Sequence, residues 1–332
     1  MRSLHSRALR LQRSVLAVPA TSERFVASAA RSAADAIFLD LEDAVVASRK
    51  VEARALAIRA LTQLDWGDRI VSVRINDISS AWGYRDIIEV AAQCPRLDTV
   101  LVPKVSDSEQ IRFVERLLAS VEADVGREAP IGIEAIVETP QGVANVEHIA
   151  SASARLESLA FGTGDYSLAM HVPQTRYGSP DPDYGVLGSR SDGTASAFHW
   201  NDQWHFALAR IANACRANAL RPLDGPFTAI DEPAGYEASA RKARALGFEG
   251  KWAIHPSQIE SANRIFIPTP AELTWALRVR DAMSSAAEAG QGATKLDGAM
   301  IDLAHVKHAE VIRSRQRLVD ARCPRGRKLE RV

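Results

Sequence analysis

The sequence predicts an α/β fold, a (β/α)8 TIM barrel with a C-terminal helical cap. Three observations carry that prediction. Eight short apolar, β-branched runs alternate with helical patterns over about 250 residues, the length and rhythm of such a barrel. No GxGxxG follows the first run, which argues against the alternative, a doubly wound sheet. After Pro268 and Pro270 the alternation stops. The expected division is a catalytic barrel over residues 1–267 and a helical lid and tail over 268–332.

Ser14 to Val18 reads as the first strand and Ser22 to Arg31 as a helix. Ala36 to Leu41 is a second strand that runs into Glu42 and Asp43. Lys50 to Leu64 is helical, with Val51, Ala55, Ile58 and Leu61 at the spacing of one face. Arg69 to Ile75 is the third strand, with Arg74 near its end. Leu97 to Val102 is the fourth, followed by Pro103 and Lys104. A capping box from Ser106 to Glu109 starts a helix that presents Ile111, Val114, Leu117, Leu118 and Val121 on one side and stops at Gly126. Ile131 to Val137, bounded by Pro130 and Pro140, is the fifth strand, and Val143 to Ala152 a helix. Leu156 to Phe161 is the sixth and ends in Gly-Thr-Gly-Asp. Residues 172–200 are rich in Gly, Pro, Ser and Asp and read as a long loop over the active face. Helix 204–219, a short strand at Pro222 to Pro226, helix Tyr236 to Leu246 and a strand at Lys251 to Ile254 complete eight units. Beyond them come helix 271–287, a Gly-rich loop (AGQGATKLDG) and helix Leu303 to Val319, which read together as a mobile cap.

Composition narrows the function classes. The 332 residues are 46% hydrophobic and 25% charged, an ordinary globular balance. Forty-one acids against 41 bases give no net field to attract nucleic acid. No apolar run approaches the ~20 residues of a membrane span. Cys94, Cys215 and Cys323 are far apart and odd in number, so no disulfide framework or thiolate metal site follows, which suits a reducing compartment. The Arg- and Ser-rich start, MRSLHSRALRLQRS, faintly resembles a transit peptide, but strand-like sequence begins by Ser14, and a cytoplasmic location is expected.

In a barrel, polar residues at the carboxyl ends of strands carry the chemistry. Here they are Asp40, Glu42, Asp43, Arg74, Lys104, Glu138 and Asp165. Glu138 and Asp165 sit just past two consecutive strands, whose ends lie about 5 Å apart in a parallel sheet. Two carboxylates there can share one hard cation, with water and substrate oxygens completing its shell. Five acids packed together would repel one another without such an ion; the bland alternative is that they cap helices or pair with Arg74 and Lys104. Arg74 can hold a carboxylate or a developing enolate oxygen through its planar fork. Gly162, Thr163 and Gly164 would let backbone N–H groups approach a ligand. The eight histidines have no ligand spacing; His255 reads as structural, and His305 and His308 as solvated.

Several segments then resemble one family: LDLEDAV (39–45), SVRIN (72–76), VPKV (102–105), IVETPQGVANVEHIA (136–150), FGTGD (161–165), GKWAIHPSQI (250–259) and GAMIDLAHVKHAEVI (298–312). They resemble the HpcH/HpaI aldolase and citrate lyase β-subunit superfamily, and within it the malyl-CoA and β-methylmalyl-CoA lyases. The 172–200 insertion, WNDQWHFALARIANAC and LRPLDGPF carry the closer likeness. The resemblance implies a Mg2+-dependent barrel (Mn2+ as a substitute) that cleaves a carbon–carbon bond. Its substrate would be a 3-hydroxyacyl-CoA such as malyl-, β-methylmalyl- or citramalyl-CoA, released as an acyl-CoA and a 2-oxo acid. Glu138 and Asp165 fall on the family's metal ligands, Arg74 on its enolate-stabilising arginine, and Glu42 and Asp43 on acids that hold metal-bound water. Asp302 falls on an acid–base aspartate that reaches a neighbouring subunit's site, which implies a homotrimer or hexamer. The family's Pro-Gly-x-Arg after the first strand, and a lysine six residues on, are replaced by Pro19-Ala20-Thr21-Ser22 and Ser28. That leaves Arg24 or Arg31, with Lys104, to face CoA phosphates. The rival functions are a thioesterase on the same scaffold, a CoA-independent 2-oxo acid aldolase and a non-catalytic accessory subunit.

Overall fold

The computed structural model describes residues 10–173, 176–181, 183–188, 197–200 and 202–322. Eight parallel strands close into a barrel: β1 (Ser14–Pro19), β2 (Ala36–Asp40), β3 (Ile70–Arg74), β4 (Thr99–Val102), β5 (Gly132–Val137), β6 (Leu156–Phe161), then β9 (Arg221–Asp224) and β10 (Gly250–Ala253), which returns to β1. Helices follow most strands: α1 (Glu23–Ala30), α2 (Lys50–Gln63), α3 (Gly83–Gln93), α4 (Ser108–Asp124), α5 (Pro140–Ala144), α6 (Val146–Ala150), α7 (Thr163–Ala169), α8 (His205–Ala217), α9 (Pro233–Ala245) and α10 (Ile259–Ile265). Inside the barrel Val15, Ala36, Phe38, Ile70, Leu101, Ile136, Ala160, Leu223 and Trp252 form the packed core. Side chains alternate faces along a strand. Asp40 therefore continues the inward row of Phe38, Arg74 that of Ile70 and Ser72, and Glu138 that of Glu134 and Ile136.

Gln12–Ile265 form one compact unit and the segment from Phe266 belongs to another. The second unit holds α11 (Pro270–Glu288), an antiparallel hairpin of β11 (Ala293–Leu296) and β12 (Ala299–Asp302), and α12 (Leu303–Arg322). Its own core joins Ala276, Val279, Ile301 and Ala309. A capping box at Thr269 and Glu272 starts α11.

Local structure departs from expectation at several places. The Gly-rich loop is the hairpin β11–β12: Asp297 and Gly298 both have positive φ, 49° and 82°, as a tight two-residue turn requires. The capping box of α4 is Asp107 with Gln110, one residue later than Ser106–Glu109, because the Asp107 carboxylate accepts the Glu109 and Gln110 N–H groups. The single helix expected at Val143–Ala152 is two short ones, beginning earlier with Thr139 as N-cap and Pro140 in the first turn. Asn145 breaks them, its side chain donating to the Ser106 carbonyl at 2.9 Å. Helices α3, α7 and α10 were not expected. The long 172–200 segment contains a two-stranded hairpin, β7 (Gly185–Gly188) with β8 (Ala197–Trp200); its residues 174–175, 182 and 189–196 lie outside the described ones.

Candidate active site

The barrel's carboxyl-terminal mouth is charged because three strands end with an inward ionisable residue. Register places Asp40 directly beside Arg74. The guanidinium grips Asp40 with two bonds, Nε to Oδ1 at 2.7 Å and Nη2 to Oδ2 at 2.6 Å. Asp40 also accepts the N–H groups of Glu42 at 2.8 Å and Ala44 at 3.2 Å, which folds the turn after β2 over the mouth. Arg74 keeps Nη1 for Glu42 Oε2 at 3.1 Å, and its guanidinium carbon lies 5.7 Å from the Phe38 ring centre. Burial would discharge Arg74, yet Asp40, Glu42 and Glu138 overcome it and push its pKa up. It is a permanent cation in a nearly dry position.

Glu138 is 3% exposed and follows β5. Its Oε1 accepts the Lys104 N–H at 2.8 Å. Its Oε2 occupies the space a side chain at Gly162 would need, since a Cβ there would come within 2.1 Å. Gly162 is thus the seat of Glu138. Asp165, in the first turn of α7, lies close enough to Glu138 for each carboxyl to shift the other's acidity. Burial, then the neighbouring Asp165 charge, push Glu138 up to about 8. Burial also raises Asp165, against the pull of Lys104. Burial lifts Glu42 to about 7 despite Arg74 and Lys104, while in half-exposed Asp43 those two cations win and lower it.

Lys104 has φ +52°, a left-handed conformation that costs a side-chain-bearing residue about 1–2 kcal/mol. Its ammonium lies 2.6 Å from Glu42, 3.1 Å from Asp43 and 4.0 Å from Asp165. Lys50, which sequence reasoning passed over, is buried and donates to the carbonyls of Leu41 at 2.9 Å and Glu42 at 2.7 Å. Among the described residues, then, Asp40, Glu42, Asp43, Glu138 and Asp165 face three cations, Arg74, Lys104 and Lys50. Two more carboxyl groups than cations are present, and burial leaves Glu138 and Glu42 holding protons that an ion would displace. Glu42 Oε2 is buried and faces Arg74 Nη1 across an ion pair without hydrogen-bond geometry. Carboxyl oxygens in excess of the local cations are the donors that a hard divalent cation takes. Among the described residues no three His, Cys, Asp or Glu side chains form a closed metal cage. Two carboxylates leaving room for water and substrate oxygens is the arrangement magnesium commonly takes.

A cavity of about 520 Å3 opens beside these groups. Asp40, Arg74, Glu138 and Asp165 line its charged side, and Phe38, Trp252 and Tyr177 its apolar side. The remaining expected residues are placed as follows. Thr163 is buried inside α7, and its hydroxyl lies near Gly225, so this stretch is a helix start and not an open loop of donors. Gly164 lies under the Tyr177 ring, 3.4 Å from where a Cβ would stand. Lys104, expected at CoA phosphates, is turned into the acids. Arg24 is exposed, 5.5 Å from the Phe25 ring centre. Asp302 closes β12 in the second unit; its Oδ1 accepts the Ala304 N–H at 3.0 Å and contacts His305 Nδ1 at 2.8 Å, which holds the carboxyl below its usual range. His305 is therefore a partner of Asp302 and not a bystander in solvent. The signals that sequence reasoning missed were inward parity, which points Trp252 into the mouth, and the basic first residue of α2.

The family model described as HpcH/HpaI aldolase/citrate lyase matches residues 13–256. The chain is 39% identical over 304 residues to an L-malyl-CoA/beta-methylmalyl-CoA lyase of Cereibacter sphaeroides, covering 91% of this chain and 92% of that protein. It is 34% identical over 294 residues to a (3S)-malyl-CoA thioesterase of the same species, covering 89% and 90%. Among solved structures, CitE of Mycobacterium tuberculosis in complex with magnesium, acetoacetate and coenzyme A is 29% identical, with a TM-score of 0.67 over 92% of this chain and 98% of that one. The barrel with its acid-rich mouth belongs, on these grounds, to the HpcH/HpaI aldolase/citrate lyase family.

Proposed function

We propose that the protein is a Mg2+-dependent carbon–carbon lyase that cleaves a 3-hydroxyacyl-CoA, such as malyl-, β-methylmalyl- or citramalyl-CoA, into an acyl-CoA and a 2-oxo acid. The observation that carries the reading is the pairing of Glu138, seated over Gly162, with neighbouring Asp165, beside the clamped Arg74. The lyase named among the relatives supports the reaction, and the complex with magnesium and coenzyme A supports the ligands. Glu138 and Asp165 are the residues that would hold the ion. When bound, Mg2+ supplies a Lewis acid that polarises the carbonyl of the 2-oxo acid. Cleavage passes the proton of the 3-hydroxyl to the Asp302 carboxylate, held low by His305, and breaks the C2–C3 bond, and the electron pair moves into the thioester carbonyl. The second N–H of Arg74 Nη1, beyond the one that faces Glu42, would meet the resulting enolate oxygen, and because Asp40 already fixes the fork, little reorganisation is needed at that moment. Asp302, contributed by a neighbouring copy in a homotrimer or hexamer, then returns that proton to the enolate carbon. No helix among the described residues is long and apolar enough to cross a membrane. We assign the protein to the cytoplasm on its three scattered cysteines, of which Cys94 and Cys215 are buried and unpaired.

The thioesterase among the relatives supports a second reading on the same residues. Product analysis separates the two. Protein and Mg2+ are incubated with the three CoA esters, and 2-oxo acid and free thiol are followed together. Glyoxylate or pyruvate without thiol release is the expected result. Thiol with a free hydroxy acid would establish the thioesterase. Turnover of a free hydroxy-oxo acid, with all three esters untouched, would reject CoA substrates and give weight to the missing cations at Ser22 and Ser28.

A further inference from the structure

Lys104 uses both ends of its backbone and side chain on the acids of the mouth. Its left-handed φ of +52° directs the N–H to Glu138 Oε1 while the side chain crosses to Glu42 and Asp43, with Asp165 4.0 Å from the ammonium. A non-glycine residue keeps such a conformation where its surroundings hold it there. We infer that Lys104 is the built-in counter-cation of this acid set and limits how tightly a divalent ion binds, an inference that rests on the metal-dependent reading above. Arg74 cannot play this part, because both faces of its fork are committed, to Asp40 and to Glu42. Lys50 cannot either, because its ammonium is tied to two backbone carbonyls. Lys104 is 29% exposed on a flexible four-carbon stem, so it can withdraw as an ion enters. Until then it neutralises one of the five acids and opposes a second positive charge at Asp165.

The competing account is that Lys104 serves the ion by orienting Glu42 and Asp43. The two accounts predict opposite changes on neutralisation. Mn2+ binding to the full chain is measured by electron paramagnetic resonance, and thermal midpoints are recorded in EDTA and in saturating Mn2+. Lys104→Met keeps the stem and removes the charge; it is expected to bind Mn2+ about tenfold tighter. It should also melt lower than wild type in EDTA, with the difference closing when Mn2+ saturates. Lys104→Arg keeps the charge and should match wild type in both measurements. Unchanged or weaker Mn2+ binding by Lys104→Met, with wild type binding normally, overturns the inference alone. No Mn2+ binding by wild type overturns the inference together with the metal-dependent reading.

Discussion

The two ends of the barrel bury the same kinds of residue and treat them in opposite ways. At the amino-terminal end Glu134, 3% exposed, has both oxygens satisfied: Oε1 accepts from Gln12 and Thr99 and Oε2 from Ser158, each at 3.0 Å. Gln12 in turn accepts from Arg221 at 2.8 Å, and Arg221 pairs with Glu157 at 2.9 Å. At the carboxyl-terminal end Glu138, equally buried, has one backbone N–H on one oxygen and a second carboxylate, Asp165, as its neighbour. A buried polar group is stable when its partners are complete and costly when they are not. The lower network is closed and reads as structure. The upper one has two more carboxyl groups than cations, which is the ground for the ion proposed there.

The contrast breaks most severely if the upper acids are expendable. Glu138→Ala and Asp165→Ala should each lose Mn2+ binding and at least about a thousandfold in lyase activity, the order of effect of removing one group that stabilises transition-state charge. Asp302→Ala should keep the ion and still lose about a hundred- to ten-thousandfold, as expected for a proton-transfer residue. Metal titration beside steady-state kinetics on all three variants checks this. Retained binding in both of the first two would remove the ligand assignment.

Acidity sharpens the same contrast. In the metal-free protein Glu138 holds its proton up to about pH 8 and Glu42 up to about 7, whereas in the unfolded chain both ionise near 4.5. Between pH 5 and 8 the folded state therefore binds more protons than the unfolded one, so stability falls as pH rises. The fall should amount to several kcal/mol, at about 1.4 kcal/mol for each pH unit by which either of the two carboxyls is raised, offset in part by Asp43, which its cations hold below its usual range. Saturating Mg2+ at pH 8 should restore most of it, since the ion replaces the protons. Thermal midpoints across this range, in EDTA and in Mg2+, measure both. A flat curve in EDTA would mean that the mouth is as well compensated as the lower end.

The barrel was legible because each strand is an apolar run cut off by a turn, and the site because its acids stand where those runs stop. Other features depend on information that a linear reading lacks. The Asp40–Arg74 clamp follows from the register of β2 against β3, which pairs those two residues across 34 positions. The direction of Lys104 follows from one backbone angle. Helix α7 was hidden by Gly164, a poor helix former in its first turn. Helix α3 opens on Gly83, whose Cβ would collide with the Asp77 carbonyl at 2.5 Å; its apolar face of Ile87, Val90 and Ala91 was readable and was passed over. The hairpin at Asp297-Gly298 is also readable, since that dipeptide is a strong turn signal, but Gly290 and Gly292 beside it give the segment the composition of a loop.

The smallest expected effect is the most discriminating, because one substitution can be made at both ends. Glu134→Gln keeps an oxygen for Gln12 and Thr99 and turns an amide N–H toward Ser158, whose hydroxyl can rotate to accept it. The cost should stay within about 1 kcal/mol, the net value of one hydrogen bond, with activity and Mn2+ affinity unchanged. Glu138→Gln makes the same chemical change where the charge has no full complement. It should raise the thermal midpoint of the metal-free protein at pH 8, by removing a buried charge, and abolish binding of the ion. Parallel melts and Mn2+ titrations of the two variants test the difference directly. If Glu134→Gln also alters metal affinity, the two ends are coupled through the core between them; if Glu138→Gln fails to stabilise the metal-free chain, its carboxylate is better compensated than the surrounding charges imply.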